Sequence, residues 1–289
     1  MYKISVVIST VGENTLSNVL EALNNSSIKP FEVILSIHEH NFDLVKNYKL
    51  ENLKIVINKF GGQVAQRIKG FNESKGDYIL QLDSDIVLEN DTIEILLKNI
   101  NLLGDKVAIA PVLKSTKNIV YLKQNMFNLF FRKILNIVMD GKSYVYPGKI
   151  TKSSIETLPP SNDNILNNIE TEWLPGGCIL HRKENLILFN YYNYSGKAFC
   201  EDLFHSFYLT KSKIKLFINK NAIVNHIDNS IDNFQSFFDL YRYFSKIYKV
   251  RVDFLKLIKG NKIRFYIWFF YFTLKNTIFY FFKSKNEFY

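Results

Sequence analysis

Apolar positions follow two alternating periods along the first 110 residues. Ile4–Ser9 is a short run rich in β-branched residues, which reads as a strand. Leu16, Val19, Leu20 and Leu23 then recur at helical spacing. Pro30 precedes a second strand-like run, Phe31–Ile37, and Leu53–Ile57 reads as a third. Val64, Ala65 and Ile68 lie on a helical stripe that ends near Gly70 or Ser74. Gly76-Asp77 turns into a fourth strand, Tyr78–Leu82. Asn90 or Asp91 can cap the next helix, with Ile93, Leu96, Leu97 and Ile100 inward, and Val107–Ala110 is strand-like again. Strands alternating with helices at these spacings predict an α/β fold, a mostly parallel sheet with helices on both faces.

The pattern loosens after residue 110. Val120–Met139 is apolar and aromatic with interspersed Lys and Arg, which suits a surface helix. From there to Asn168, Ser, Thr, Asn and Pro dominate, so this stretch is expected to be loop, either a substrate-binding segment or an insertion without a catalytic part. Regular signals return at Trp173–His181, in a helix from Glu201 to Lys211, and in short strands near Ile214–Phe217 and Ala222–Val224.

Composition narrows the classes. The chain has 289 residues, 47% hydrophobic and 22% charged, enough for a sizeable core and unlike a disordered chain. Two cysteines, Cys178 and Cys200, cannot build a disulfide framework, which favours a reducing cytosol. Met1-Tyr2-Lys3 runs straight into Ile4–Ile8 without a cleavage-like site, so a cytoplasmic location is expected. The net charge of +10 is uneven: residues 1–230 carry 26 basic against 23 acidic side chains, and residues 231–289 carry 11 against 4. The same tail holds 21 of the 44 aromatic residues, so it points to an anionic partner, membrane or nucleic acid.

Asp83-Ser84-Asp85 follows the fourth strand directly. In an extended backbone both carboxylates would share one face. Ligands of open α/β sheets bind beyond the carboxyl ends of the strands, and two hard oxygen donors there suit Mg²⁺ or Mn²⁺ beside a diphosphate. Alone, the tripeptide is more often a solvated turn than a metal site.

In order along the chain, Ser5–Thr10, Pro30–Leu35, Gly76–Asp85, Trp173–Cys178, Glu201-Asp202-Leu203 and His226 resemble the family 2 glycosyltransferases of the GT-A fold, over roughly residues 3–228. The resemblance implies transfer of a sugar from a nucleotide-diphosphate sugar, with inversion. It implies that Ser9 and Thr10 line the nucleotide pocket and that Asp83 contacts the ribose or the metal's water. Asp85 and His226, with Asp83 beside them, would form the site of Mn²⁺ or Mg²⁺. Gly176 and Gly177 would admit the donor sugar, a use of Gly with its own steric logic. Asp202 would be the general base and Glu201 would orient the acceptor or the base. Where the family carries an Asp pair after the second strand, this chain reads Ile37-His38-Glu39, with Glu39 or His38 as substitute. The family's Ala-Arg-Asn segment reads Gln66-Arg67-Ile68, keeping Arg67, and its second acid and Arg after the Glu-Asp pair read Phe204 and Tyr208.

Arg264–Phe282 is strongly aromatic, but its central Lys275 makes a membrane-spanning helix a poor fit, whereas a helix lying in the interface fits well. The alternative is that these aromatics pack on the core or a second subunit. Three parts are therefore expected in a GT-A domain of residues 1–230: a nucleotide-binding half (1–110), insertion and acceptor loops (111–172) and an acceptor-side half (173–230). The tail, 231–289, would attach to the inner face of the cell membrane, where surface polysaccharide, capsule, lipooligosaccharide or O-antigen is assembled on a glycan or lipid-linked acceptor. No nucleic-acid-binding signature accompanies the basic tail. The competing functions are a metal-dependent nucleotidyltransferase and a degenerate binding or scaffold subunit.

Overall fold

The computed structural model describes residues 2–48, 50–59, 61–115, 126–158, 166–194, 198–227 and 236–286. Its strands are β1 (Ile4–Thr10), β2 (Glu32–His38), β3 (Leu53–Asn58), β4 (Tyr78–Asp83), β5 (Ile86–Leu88), β6 (Val107–Ser115), β7 (Asn168–Thr171), β8 (Cys178–Arg182) and β9 (Lys215–His226). Its helices are α1 (Leu16–Asn25), the single turn α2 (Phe42–Val45), α3 (Gln63–Glu73), α4 (Thr92–Leu103), α5 (Met126–Asp140), α6 (Glu201–Lys211), α7 (Phe237–Leu257) and α8 (Lys262–Asn286). The chain divides into two compact units, residues 1–119 with 159–228, and residues 120–158 with 229–289.

In the first unit the strands form one sheet in the order β3-β2-β1-β4-β8-β6-β9-β5, with β7 pairing β9 off this path. The expected α/β architecture is present, and its parallel part runs through β3, β2, β1 and β4. Past β4 the sheet is mixed: β8 is antiparallel to both β4 and β6, β6 and β9 are parallel, and β5 and β7 are antiparallel to β9.

The two faces of the sheet differ. Ile4, Val6, Ile8, Leu80 and Leu82 alternate onto one face and meet the stripes of α1 and α4 in a continuous apolar core. Val7, Ile34, Val56 and Ile79 point to the other face, where Phe71 of α3 completes only a small apolar cluster. Beyond it that face is polar: Gln81 and His181 are fully buried, and Arg67 of α3 and His205 of α6 are 1% exposed. Gly70 lets α3 lie tight on the sheet, since a Cβ there would come within 2.4 Å of Val7 Cγ1.

The two short strands expected near Ile214–Phe217 and Ala222–Val224 are one strand, β9, interrupted by a bulge. Pro111 of β6 pairs with Asn219 and Val112 with Ile223. The Asn219 side-chain oxygen accepts from the backbone N–H groups of Asn221 (3.0 Å) and Ala222 (2.9 Å), which satisfies the bulge locally. After it, β9 pairs with β5 and sets His226 opposite Ile86.

The second unit is helical. Of the surface helix expected over Val120–Met139, Met126–Asp140 is helix and residues 120–125 lie outside the described residues. Arg264 donates to the carbonyls of Ile137 and Val138, capping the end of α5. The buried Asp140 accepts from Lys149 Nζ and Lys152 N, both at 3.1 Å. Arg251 of α7 makes a two-pronged ion pair with Glu156 and also donates to the Ser154 carbonyl at 3.1 Å. Phe254 and Phe265 are fully buried, while Phe238, Tyr266, Ile267, Phe270, Phe279 and Phe282 are exposed. Among the described residues no helix is long and apolar enough to cross a membrane.

Candidate active site

The carboxyl ends of β1 and β4 lie side by side, with Ser9 opposite Asp83. Ser9 and Thr10 are buried there. The Thr10 hydroxyl donates to Glu13 at 2.5 Å and accepts from Gly12 N at 2.9 Å. Glu13 also accepts from Val11 N at 3.2 Å and from the Ser84 hydroxyl at 2.9 Å. It thus ties the loop after β1 to the turn after β4. Burial alone would raise its pKa, but the hydrogen bonds from Thr10, Ser84 and Val11 hold it below the usual carboxylate range. The sequence reading misses Glu13; the Thr-x-x-Glu spacing of Thr10 and Glu13 is the signal that could have found it.

The extended backbone expected over Asp83-Ser84-Asp85 stops at Asp83, the end of β4. Ser84-Asp85 is a turn, and the two carboxylates take different partners. Asp83 Oδ1 accepts from Arg67 Nη2 at 3.1 Å and from Gln63 Nε2 at 3.2 Å. Asp85 Oδ2 lies 3.3 Å from Nε2 of His226, and Asp85 O accepts from Ile227 N at 2.9 Å. That pair is partly exposed, at 35% and 28% of the side chains, so solvent and a ligand can reach it.

Arg67 is the centre of the buried part. Its guanidinium is 1% exposed and also reaches Glu201 Oε1 at 3.4 Å, so one cation bridges Asp83, the last residue of β4, and the first residue of α6. Burial disfavours its charge, but Asp83 and Glu201 more than restore it, and its pKa lies above the ordinary arginine value. Burial pushes Asp83 up to about 6 against the opposing attraction of Arg67, with repulsion from Glu201 and Asp85 adding to the rise.

The start of α6 is held close to the segment before β8. A Cβ on Gly176 would fall 2.8 Å from Glu201 Oε1 and 3.3 Å from Asp202 Cβ, and one on Gly177 would fall 3.1 Å from Ile86 Cγ1. The Gly176 carbonyl accepts from Gln81 Nε2 at 2.5 Å, and the Gly177 carbonyl from Asp83 N at 2.8 Å. Cys200, at φ 57° in the left-handed region, turns the chain into the helix so that Glu201 and Asp202 stand at its first positions.

Behind Arg67 lies a layer that the sequence did not single out as a unit. Tyr191 and His205 stack at 5.4 Å between centroids, and His205 and His181 stand 5.3 Å apart. Neither ring nitrogen of either histidine has a hydrogen-bond partner among the described residues. Burial, with the Arg67 charge, drives His181 down to about 3, and burial likewise lowers His205 well below an ordinary histidine. Both imidazoles are therefore neutral.

The structure brings Ser9, Thr10, Arg67, Asp83, Asp85, Gly176, Gly177, Glu201 and His226 into one connected set through the contacts above, with Asp202 next to Glu201. Glu39 stands apart in an exposed 3₁₀ turn, Glu39–Asn41, beside the stacked rings of His38 and His40 (4.8 Å). The donor set fits a divalent cation at Asp85 and His226, a carboxylate and an imidazole close enough to share one ion. Among the described residues no group of three or more His, Cys, Asp or Glu side chains converges. The remaining positions would fall to phosphate and water, the usual arrangement for Mg²⁺ at a diphosphate.

The family model described as Glycosyl transferase family 2 matches residues 5–151. A cholesterol galactosyltransferase of Borreliella burgdorferi is 30% identical over 101 residues, 33% of this chain and 28% of that protein. The crystal structure of GalNAc-T7 with UDP, GalNAc and Mn²⁺ superposes with a TM-score of 0.56 at 15% identity, covering 79% of this chain and 44% of that one. The crystal structure of S. aureus TarS 1-349 in complex with UDP-GlcNAc gives a TM-score of 0.47 at 15% identity, covering 85% and 65%. The chain thus spans less than half of the first two proteins it matches.

Proposed function

Since this chain belongs to glycosyl transferase family 2 and has the GT-A fold, we propose that it is an inverting, metal-dependent transferase that moves a sugar from a nucleotide-diphosphate donor to a glycan or lipid-linked hydroxyl. One observation carries this reading: the buried Arg67 holds Asp83, close to the proposed metal ligand Asp85, and Glu201, beside Asp202, on a single guanidinium. Donor-binding and acceptor-activating groups are thereby fixed as neighbours.

In this reading Ser9 and Thr10 bind the nucleotide, and Asp83 contacts the ribose or a metal-bound water. Asp85 and His226 would hold Mn²⁺ or Mg²⁺, which when bound neutralises the negative charge that develops on the diphosphate. Gly176 and Gly177 leave room for the donor sugar. Asp202 accepts the proton of the acceptor hydroxyl as its oxygen bonds to the anomeric carbon and the bond to the diphosphate breaks. A single displacement inverts that carbon. Glu201, kept in place by Arg67, orients the acceptor.

A UDP-type donor is supported by the ligand of GalNAc-T7, and a lipid or lipid-linked acceptor by the name of the galactosyltransferase relative. The basic aromatic tail, 231–289, suits attachment to an anionic inner leaflet, where residues 1–230 would serve surface-glycan assembly.

The test is a thermal-shift panel of nucleotide sugars, nucleoside diphosphates and nucleoside triphosphates, each with and without Mn²⁺. A ligand that binds only the native state raises Tm by mass action. One diphosphate sugar should raise Tm in a metal-dependent way, and Asp85→Ala should lose that shift. Asp202→Asn should keep it while losing transfer. A chain that no nucleotide stabilises would not be a working transferase.

A further inference from the structure

A second concavity, of about 640 Å³, lies along the outer side of α3. Ala65, Lys69 and Asn72, with the largely buried Ile68 between them, line it at the spacing of one helical face, while Val64, Arg67 and Phe71 face the sheet side of the same helix. Its opposite wall is the segment Asn190–Tyr194. Tyr192 anchors that wall, since its hydroxyl accepts from Phe199 N at 2.9 Å and donates to Phe199 O at 2.7 Å. The ring of Tyr194 stands 4.9 Å from that of Tyr192.

The lining is rich in amides. Asn72 uses its Nδ2 on the Ile68 carbonyl, and Asn190 accepts with Oδ1 from Tyr192 N. Asn72 Oδ1, Asn190 Nδ2 and the whole Asn193 amide make no hydrogen bond among the described residues, and each amide offers donors and acceptors together. Among the described residues Lys69 is the one charged side chain in the lining, and it is neutralised by Glu73 at 3.1 Å. Neutral amides beside tyrosine rings match a ligand that carries many hydroxyls, has an apolar ring face and bears no net charge. A phosphodiester chain would need more cations than this, and an acyl chain has no use for the amides.

The groove also has a direction. Its helical wall, from Ala65 to Asn72 of α3, is about 10 Å long, longer than one sugar ring needs. Its Gly61 end adjoins the candidate active site: Gln63, two residues on at the start of α3, binds Asp83, and Tyr194 O lies 3.6 Å from where a Cβ of Gly62 would be. We infer that this groove binds a neutral oligosaccharide and holds the part of a glycan acceptor remote from the reacting hydroxyl. The second half of the statement rests on the transferase reading; the first does not.

Saturation-transfer NMR on the full chain tests it, with maltotriose, cellotriose and chitotriose and their monosaccharides as probes. At least one trisaccharide should bind about tenfold or more tighter than its monosaccharide. Asn193→Ala, at an exposed position, should weaken that binding about two- to tenfold. Ala65→Phe, which fills the groove, should abolish it. Both variants should keep the wild-type Tm and any nucleotide-induced shift. Trisaccharide binding that neither variant changes would overturn the inference, as would no trisaccharide binding by a protein that nucleotides stabilise. If nucleotides produce no shift but a trisaccharide binds in a variant-sensitive way, the groove stands and the transferase reading falls. If neither binds, both fall.

Discussion

Gly176 is a close steric fit against the first residues of α6. A methyl group there would stand 2.8 Å from Glu201 Oε1, so the Glu201 carboxylate, which reaches Arg67 at 3.4 Å, must shift. Gly176→Ala is therefore expected to displace Glu201 by a fraction of an ångström to an ångström. Misplacement on that scale costs about a hundredfold in rate. The expected outcome is a transfer rate lowered by about two orders of magnitude with the nucleotide-induced rise in Tm retained. A Gly176→Ala protein working at the wild-type rate would show that Glu201 has no part in positioning. Arg67 illustrates what a sequence conceals at this scale. It stands in plain view after Gln66, but nothing in the spacing tells that it is fully buried or that it reaches Glu201, 134 positions away.

At the scale of elements, the layer between the polar face of the sheet and α6 has a pH signature. His181 of β8 and His205 of α6 are neutral when folded and free to protonate near 6.5 when unfolded. Below that value the unfolded chain binds more protons, so their contribution to stability is fully present above about 6.5 and is lost as the pH falls, for His181 down to about 3. Each histidine adds a slope of about 1.4 kcal/mol per pH unit in this window. Urea midpoints at pH 7.5, 6.0 and 5.0 should fall accordingly, and His205→Leu should flatten the decline. A midpoint unchanged between pH 7.5 and 5.0 would mean that the two rings are not held neutral. The same layer marks the limit of what periodicity reveals. Strands β1 to β4 and helices α1, α3 and α4 are legible because buried parallel strands and amphipathic helices carry strong apolar patterns. Gln81 and His181 sit inside such runs, and alternation alone does not tell whether a polar residue there is buried beneath a site or turned to water. β9 reads as two pieces because the bulge at Asn219 breaks the alternation. Asp83 and Asp85 read as a shared-face pair because the turn after β4 has no Gly or Pro to announce it.

At the scale of the whole molecule, charge and aromatic side chains are concentrated in one stretch. Residues 231–289 carry a net +7, and α8 exposes Tyr266, Ile267, Phe270 and Phe279. Vesicles containing phosphatidylglycerol should therefore carry the protein upward on flotation, and pure phosphatidylcholine vesicles should carry far less. Raising the salt from 0.1 to 1 M shortens the screening length from about 10 to about 3 Å and should release most of the charge-driven part. Equal flotation with both lipids would leave the basic residues without a role in attachment. Deleting the tail is a poor substitute for this experiment, because residues 229–289 form one unit with residues 120–158.

That interleaving has a consequence for synthesis. Glu156 leaves the ribosome well before Arg251, the partner that pins it. At about 5–20 residues per second, the 95 steps from Glu156 to Arg251 take about 5–19 s to translate. Throughout that interval α5, whose Phe130, Phe131, Ile134 and Ile137 stay exposed even in the finished fold, is a nascent amphipathic helix without α8 beside it. A chaperone that holds nascent apolar helices, or a nearby bilayer, meets this segment before its own partners do.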